Sequence, residues 1–272
     1  MSDVKLIISD IDGTPVDSRG ELLPTTISGI RTAVQRGTNV VLASARPPRG
    51  MFQLAQQLGI DSTMIAYNGA LTAKTNAANE LQVFEQRPIP QTLAQAVNRL
   101  VMTHWPDASI NVYANNDWFV AQNGSWEQQE AAGIGFPPHV TDLTAWLEAA
   151  SEPVHKILIM AEPAIIRAIE KALTASTFAG LSAYRSKDTY LEIVAAGVTK
   201  AAALRTLLKD DGLTPDQVIA FGDNFNDVAM LQMAGIGVAM GNAPAQVKAA
   251  ADLVTTDNDQ PGIQRVLARY FK

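Results

Sequence analysis

Residues 6–17 read LIISDIDGTPVD. Four residues with no polar alternation among the apolar ones run straight into Asp10 and Asp12, one residue apart, with Asp17 close behind. A short β-branched-rich run of this kind is the pattern of a strand buried on both faces, as in a parallel sheet covered by helices. Two carboxylates held about 5 Å apart repel by roughly 3 kcal/mol at an effective dielectric near 20. Pinning them at a strand end implies a compensating positive charge.

The same pattern recurs in KLIIS at 5–9, NVVLA at 39–43 and VIAF at 218–221, while helical spacing is predicted over 25–35, 48–58, 200–208, 226–233, 244–250 and 263–270. Strands alternating with amphipathic helices predict an α/β fold with a doubly wound, Rossmann-like parallel-sheet core. The middle reads differently. Between 84 and 189 come a helix over 91–102, alternating strands INVYA and DWFVAQ joined by Asn115 and Asn116, an irregular GIGFPP, the strand KILIMA, a helix over 164–173 and the strand LSAYR. The Asn pair suits a tight hairpin because Asn tolerates positive φ. This α+β order places an inserted domain at 84–189 within a core domain made of 1–83 and 190–272.

Apolar residues make up 47% of the 272, charged residues 18%, and the formal net charge is -6, so the chain is globular and carries no basic stripe for a nucleic-acid backbone. It has no cysteine, which excludes disulfides and thiolate metal sites. No apolar stretch approaches the length of a membrane span, and the N-terminal apolar run is too short for a signal-peptide core. The expectation is a cytoplasmic protein with a small-molecule partner.

Three predicted core strands end on a polar group: Asp10, Ser44 and Asp223. In open parallel sheets the carboxyl edge is where ligands bind. Asp10, Asp12, Asp223 and Asp227 are expected to crowd into one volume, and hard oxygen donors without Cys or His suit Mg²⁺. In GDNFND, residues 222–227, backbone N–H groups at the start of the next helix favour an anion.

SDIDGT, ASARP, YNGA, YLEIVAAGVTKAAAL and GDNFNDVAML, in this order and spacing, resemble the haloacid dehalogenase superfamily, specifically its Cof-type phosphatases with a large cap inserted after the second motif. The resemblance implies Asp10 as the nucleophile that forms an aspartyl-phosphate, and Asp12 as the general acid/base, its backbone carbonyl also reaching Mg²⁺. It implies Thr14 and Ser44 as phosphate-holding hydroxyls, with Arg46 beside them in the second motif, and Lys200 as the lysine that neutralises phosphoryl and nucleophile charge. Asp223 is implied as a direct metal ligand, Asp227 as a ligand directly or through water, and Asn226 as a phosphate contact. Two positions depart from the pattern: Ala45 stands where the family usually has Gly, and Pro15 where it usually has Leu.

The implied activity is Mg²⁺-dependent hydrolysis of small phosphorylated metabolites such as sugar phosphates or phosphorylated cofactors. A phosphomutase using the same intermediate and a low-turnover phospho-ligand sensor are the rivals. His104, His139 and His155 share no ligand spacing, and Gly235, Gly237 and Gly241 lack dinucleotide-loop spacing. Trp105, Trp118, Trp126 and Trp146 all fall in the inserted region, where a small domain's core accounts for them more readily than a pocket.

Overall fold

The computed structural model describes residues 4–61, 63–149 and 151–271. In chain order the first half contains β1 (Leu6–Ser9), α1 (Pro24–Gln35), β2 (Asn39–Ala43), α2 (Pro48–Leu58), β3 (Thr63–Ala66), β4 (Leu71–Thr75), β5 (Leu81–Gln86), α3 (Gln91–His104), β6 (Ser109–Ala114), β7 (Asp117–Val120) and α4 (Ser125–Ile134). It continues with β8 (His139–Val140), α5 (Leu143–Ala149), β9 (Val154–Met160), α6 (Pro163–Ala172), β10 (Leu181–Lys187), β11 (Tyr190–Ala195), α7 (Lys200–Asp210), β12 (Val218–Gly222), α8 (Val228–Met233), β13 (Ile236–Ala239), α9 (Ala245–Ala249), β14 (Leu253–Val254) and α10 (Gly262–Tyr270).

An eight-stranded sheet runs in the order β14-β13-β12-β1-β2-β3-β4-β5. It is parallel from β14 to β3, and β4 and β5 add antiparallel at one edge. The uniform apolarity of β1 has a direct cause, because both of its faces are buried. Ile7 packs in one cluster with Val40, Leu42 and Ile219, whereas Leu6 and Ile8 join Val41, Ala43, Ala220 and Leu204 in another.

A six-stranded sheet in the order β10-β11-β9-β6-β7-β8 occupies the middle of the chain. Its membership moves both expected boundaries. β5 pairs with β4 in the first sheet as far as Gln86, and Tyr190–Ala195, expected with the core, pairs with β9 and β10 in the second. The reason is local: Lys187 pairs with Tyr190 across a tight antiparallel turn, and a two-residue hairpin holds its strands side by side in one sheet.

Two helices of the insert, α4 and α5, were not expected. On α4 the buried residues are Glu127, Glu130 and Ile134, so carboxylates sit where the apolar stripe should be and the 3.6-residue signal is erased. In the β6–β7 hairpin only Asn115 takes positive φ, at 53°, while the Asn116 amide donates to Thr75 Oγ1 at 2.8 Å. The expected helix over 226–233 begins as a single 3₁₀ turn, Phe225–Asp227, followed by α8. None of the four tryptophans lines the cleft between the sheets: Trp118 is fully buried in the cluster shared with the core, and Trp105 and Trp146 pack against the insert's own cluster.

His155 on β9 joins the insert to the first sheet. Its ring stacks on Tyr67 at 5.7 Å, Nδ1 accepts the Asn115 backbone N–H at 3.1 Å, and Nε2 lies 3.1 Å from Gln86 Oε1. A neutral ring with its proton on Nε2 satisfies both contacts. Burial lowers its pKa from 6.5 to about 4. Between those values the unfolded chain binds a proton that the native state does not, so stability falls as pH drops through this window. Urea unfolding of wild type at pH 4.5 is expected to lose about 2 to 3 kcal/mol more, relative to pH 7, than His155→Gln loses. Parallel pH profiles for the two proteins would remove this assignment.

Candidate active site

The carboxyl edge of the eight-stranded sheet brings β1 and β12 side by side, since Ser9 pairs with Phe221 and the Asp10 N–H donates to Phe221 O at 3.0 Å. Asp10 therefore follows one strand and Asp223 its neighbour. Carboxylate oxygens of Asp10, Asp223 and Asp227 lie within 4.8 Å of one another. Gly13 makes this approach possible. Its φ is +82°, and a Cβ there would stand 2.4 Å from Asp223 Oδ2.

Asp227 is fully buried and its two oxygens are engaged: Oδ2 accepts the N–H groups of Asp223 and Asn224 at 3.1 and 3.0 Å, and Oδ1 accepts Lys200 Nζ at 2.8 Å. This fixes the 223–227 loop onto the sheet edge. Lys200 opens α7 behind its N-cap Thr199, whose hydroxyl oxygen accepts the Ala202 N–H at 3.0 Å. A cation in a first helical turn opposes the helix dipole. Lys200 is nevertheless 1% exposed, because its ammonium also donates to Asp10 Oδ1 and so bridges the two aspartates.

The electrostatics follow from that burial. Loss of hydration pushes the Asp10 carboxyl well above the usual carboxylate range; Lys200 opposes the rise, and Asp227 and Asp223 add to it. Burial works against the Lys200 ammonium, but Asp10 and Asp227 outweigh it and hold its pKa above the ordinary lysine value. Asp223 is also raised by burial, with the Thr14 hydrogen bond opposing. Three carboxylates thus crowd around one ammonium, with Asp10 and Asp227 buried and Asp223 partly so. Oxygen-only donors with a deficit of positive charge fit a divalent cation of the Mg²⁺ type.

Asp12 corrects the expected four-carboxylate cluster. Its side chain is 59% exposed and turns outward, where Arg46 grips it in a fork, Nη2 to Oδ1 at 2.6 Å and Nε to Oδ2 at 3.0 Å. Asp12 is the third residue past β1, at the start of the turn, so the strand pleat that would align residues two apart on one face no longer governs its side chain. Other expected phosphate contacts also have protein partners. Thr14 donates to Asp223 Oδ1 at 2.8 Å, Ser44 Oγ accepts the Arg46 N–H at 3.2 Å, and the Asn226 amide donates to Asn68 Oδ1 at 3.0 Å. Asp10, Asp12, Ser44, Arg46, Lys200 and Asn226 all line one cleft of about 1040 Å³ between the sheets, whereas Thr14, Asp223 and Asp227 support it from behind.

Several residues at this site were not anticipated. Asn242 donates to Gly13 O at 2.8 Å and to Asp223 Oδ2 at 3.3 Å, tying the β1 turn to the β12 edge. Asn68, at φ 55°, joins the Asn226 loop to Tyr184 of the insert. Lys156 on β9 donates to Ala45 O at 3.0 Å and stands 3.7 Å from Glu192. The departure at Ala45 therefore leaves the backbone carbonyl of the second motif in use. For Asn68 the sequence signal was the Asn-Gly pair in YNGA; Lys156 and Tyr184 had none, being single polar or aromatic residues within strands of the insert.

Sheet edge, acid cluster, buried lysine and roofed cleft together define the class: a doubly wound α/β enzyme with an inserted sheet over its active edge. Residues 7–267 match the model of the haloacid dehalogenase-like hydrolases. A haloacid dehalogenase-like hydrolase from Bacteroides thetaiotaomicron superposes with a TM-score of 0.89 at 30% identity, covering 99% of this chain and 100% of that one. A candidate phosphatase of Haemophilus influenzae is 34% identical over 98% of both chains, and a 5-amino-6-(5-phospho-D-ribitylamino)uracil phosphatase of Bacillus subtilis is 28% identical over 98% of this chain and 96% of its own. The chain belongs to the haloacid dehalogenase-like hydrolase family.

Proposed function

We propose that the protein is a Mg²⁺-dependent phosphatase of small phosphorylated metabolites that works through an aspartyl-phosphate on Asp10, with the inserted sheet as its cap. The observation that carries this reading is the buried Lys200 ammonium held between Asp10 and Asp227 at the floor of the cleft. A solvated lysine has no reason to be buried there, and a phosphoryl group and a carboxylate nucleophile both need its charge.

In this reading Asp10 attacks phosphorus through a carboxylate oxygen as the ester P–O bond breaks, and Asp12 gives the leaving oxygen its proton. Asp12 then takes a proton from water whose oxygen attacks the phosphorus. The bond to Asp10 breaks and inorganic phosphate leaves. Arg46 and Ser44 stand where they can receive the phosphoryl oxygens, and a phosphoryl group that draws Arg46 away frees Asp12 for proton transfer. Asp10, Asp223, Asp227 and the backbone carbonyl of Asp12 are the groups to hold Mg²⁺. When bound, the ion supplies Lewis-acid charge stabilisation of the phosphoryl oxygens and offsets the crowding of the carboxylates.

Release of inorganic phosphate from an aryl phosphate is expected with Mg²⁺ and is expected to vanish in excess EDTA, then return when Mg²⁺ is restored. Equal release with and without metal would sink the Mg²⁺ assignment. Gly13→Ala is expected to raise the Mg²⁺ concentration for half-maximal activity by about tenfold or more, because its Cβ displaces Asp223, and a misplaced support of this kind typically costs that much affinity. An unchanged Mg²⁺ titration in that variant would show that Asp223 does not set metal affinity.

A further inference from the structure

Two carboxylates on the insert's side of the cleft are buried, and one of them is only half used. Glu192 on β11 and Glu130 on α4 are 6% and 9% exposed, and both line the cleft. Each protein partner of Glu192 meets the same oxygen: the Tyr184 hydroxyl donates to Oε2 at 3.1 Å, and Lys156 Nζ stands 3.7 Å from Oε2. Glu130 accepts the Tyr113 hydroxyl on Oε1 at 2.7 Å and, among the described residues, has no cation in ion-pair range. Glu130 also meets the Tyr190 hydroxyl. Glu192 Oε1 takes no protein donor among the described residues and is not among the partnerless atoms sealed from solvent, so it opens into the cleft.

The cations nearby are already committed. Lys156 is shared between Ala45 O and Glu192, Arg185 turns to Glu170 at 3.0 Å on α6, and Arg46 is held by Asp12. Lys187 lies at the rim over the Tyr190 ring at 4.3 Å. The insert's share of the cleft lining thus holds Glu130 and Glu192 against Lys156, Arg185 and Lys187, and among the described residues Lys156 alone is in ion-pair range of either carboxylate. When a substrate fills the cleft and displaces water, the open Glu192 oxygen needs a donor, and a second anion placed beside these two carboxylates meets like charge in a poorly hydrated space.

We propose that Glu130 and Glu192 form the leaving-group subsite, which selects phosphate esters whose organic part presents hydroxyl or amino donors and rejects those that carry a second anionic group. The proposal rests on the phosphatase reading and narrows its substrate class. Glu192 is also tied to the phosphoryl side. Its Oε2 accepts the Tyr184 hydroxyl, Tyr184 meets the Asn68 amide, and Asn68 accepts from Asn226 in the loop that carries Asp223 and Asp227. Recognition at one end of the substrate is thereby linked by hydrogen bonds to the reacting end.

The test compares D-glucitol 6-phosphate, whose organic part is all hydroxyl, with 2-phosphoglycolate, whose organic part ends in a carboxylate. kcat/KM is measured for wild type, Glu130→Gln and Glu192→Gln with Mg²⁺, and calorimetric affinities are measured in the Asp10→Asn background. Wild type is expected to prefer the polyol phosphate by at least about tenfold in both measurements, a modest figure for a site built to meet substrate donors. Each Gln variant is expected to shrink that ratio at least about threefold, chiefly by accepting the carboxylate better. Equal or reversed preference in wild type, or a preference that survives both substitutions, overturns the proposal. Glu130 supports no cation, so its variant reports on the subsite even where Glu192→Gln disturbs Lys156. Absence of turnover on both esters would end the phosphatase reading, while the Asp10→Asn affinities still decide the subsite.

Discussion

Asp10→Asn is expected to reduce phosphate release by about 10⁴-fold or more at saturating Mg²⁺, because the variant keeps the shape of the site and loses the oxygen that bonds to phosphorus. Its fold should not suffer. The Asp10 carboxylate is buried, its lost hydration is only partly offset by Lys200, and two other carboxylates crowd it. A neutral amide removes that cost and leaves Lys200 paired with Asp227 at 2.8 Å. In EDTA the variant is expected to unfold at the same urea concentration as wild type or a higher one. A turnover number near wild type would remove Asp10 as the nucleophile. Lost turnover with a collapsed urea midpoint would instead assign Asp10 a structural duty.

Lys200→Met carries the opposite expectation for stability. Its side chain is fully buried between Asp10 and Asp227, and removing one partner of a buried ion pair while leaving the charge behind costs about 3 to 5 kcal/mol. The metal-free variant is expected to lose this much in urea unfolding, along with its turnover. Added Mg²⁺ is expected to restore part of the stability, since a second positive charge at the same carboxylates does the electrostatic work of the first. A loss below about 1 kcal/mol would mean that the aspartates take up protons instead, and the variant's stability would then fall with rising pH.

What could be read from the chain beforehand follows strand chemistry. Asp10, Ser44 and Asp223 were legible because uniformly apolar runs stop at them, and a parallel sheet collects such stops on one edge. The burial of Lys200 was not legible from its own surroundings, since a lysine in a first helical turn looks solvated; only the resemblance marked it. The outward turn of Asp12 escaped because a one-residue separation fixes sequence distance and leaves open which way the second carboxylate faces once Arg46 is near. Glu130 escaped for a related reason. On α4, buried carboxylates replace the apolar stripe that announces a helix, so the element and its functional side chain were missed together. Residues 190–195 are placed with the core domain on sequence because they abut the Lys200 motif, whereas the hairpin of β11 with β10 puts them in the second sheet.

The chain passes between the two sheets twice, at 87–89 and at 196–199, and the second passage runs directly into Thr199 and Lys200. That passage is short and has Gly197 at φ 79°. Only four residues of backbone, 196–199, separate the insert's sheet from the helix start that carries the buried ammonium, and Asp10 and Asp227 anchor that ammonium on the other sheet. The last strand of the roof and the floor of the cleft are thus consecutive in the chain, so an insertion or deletion in this passage bears on both at once.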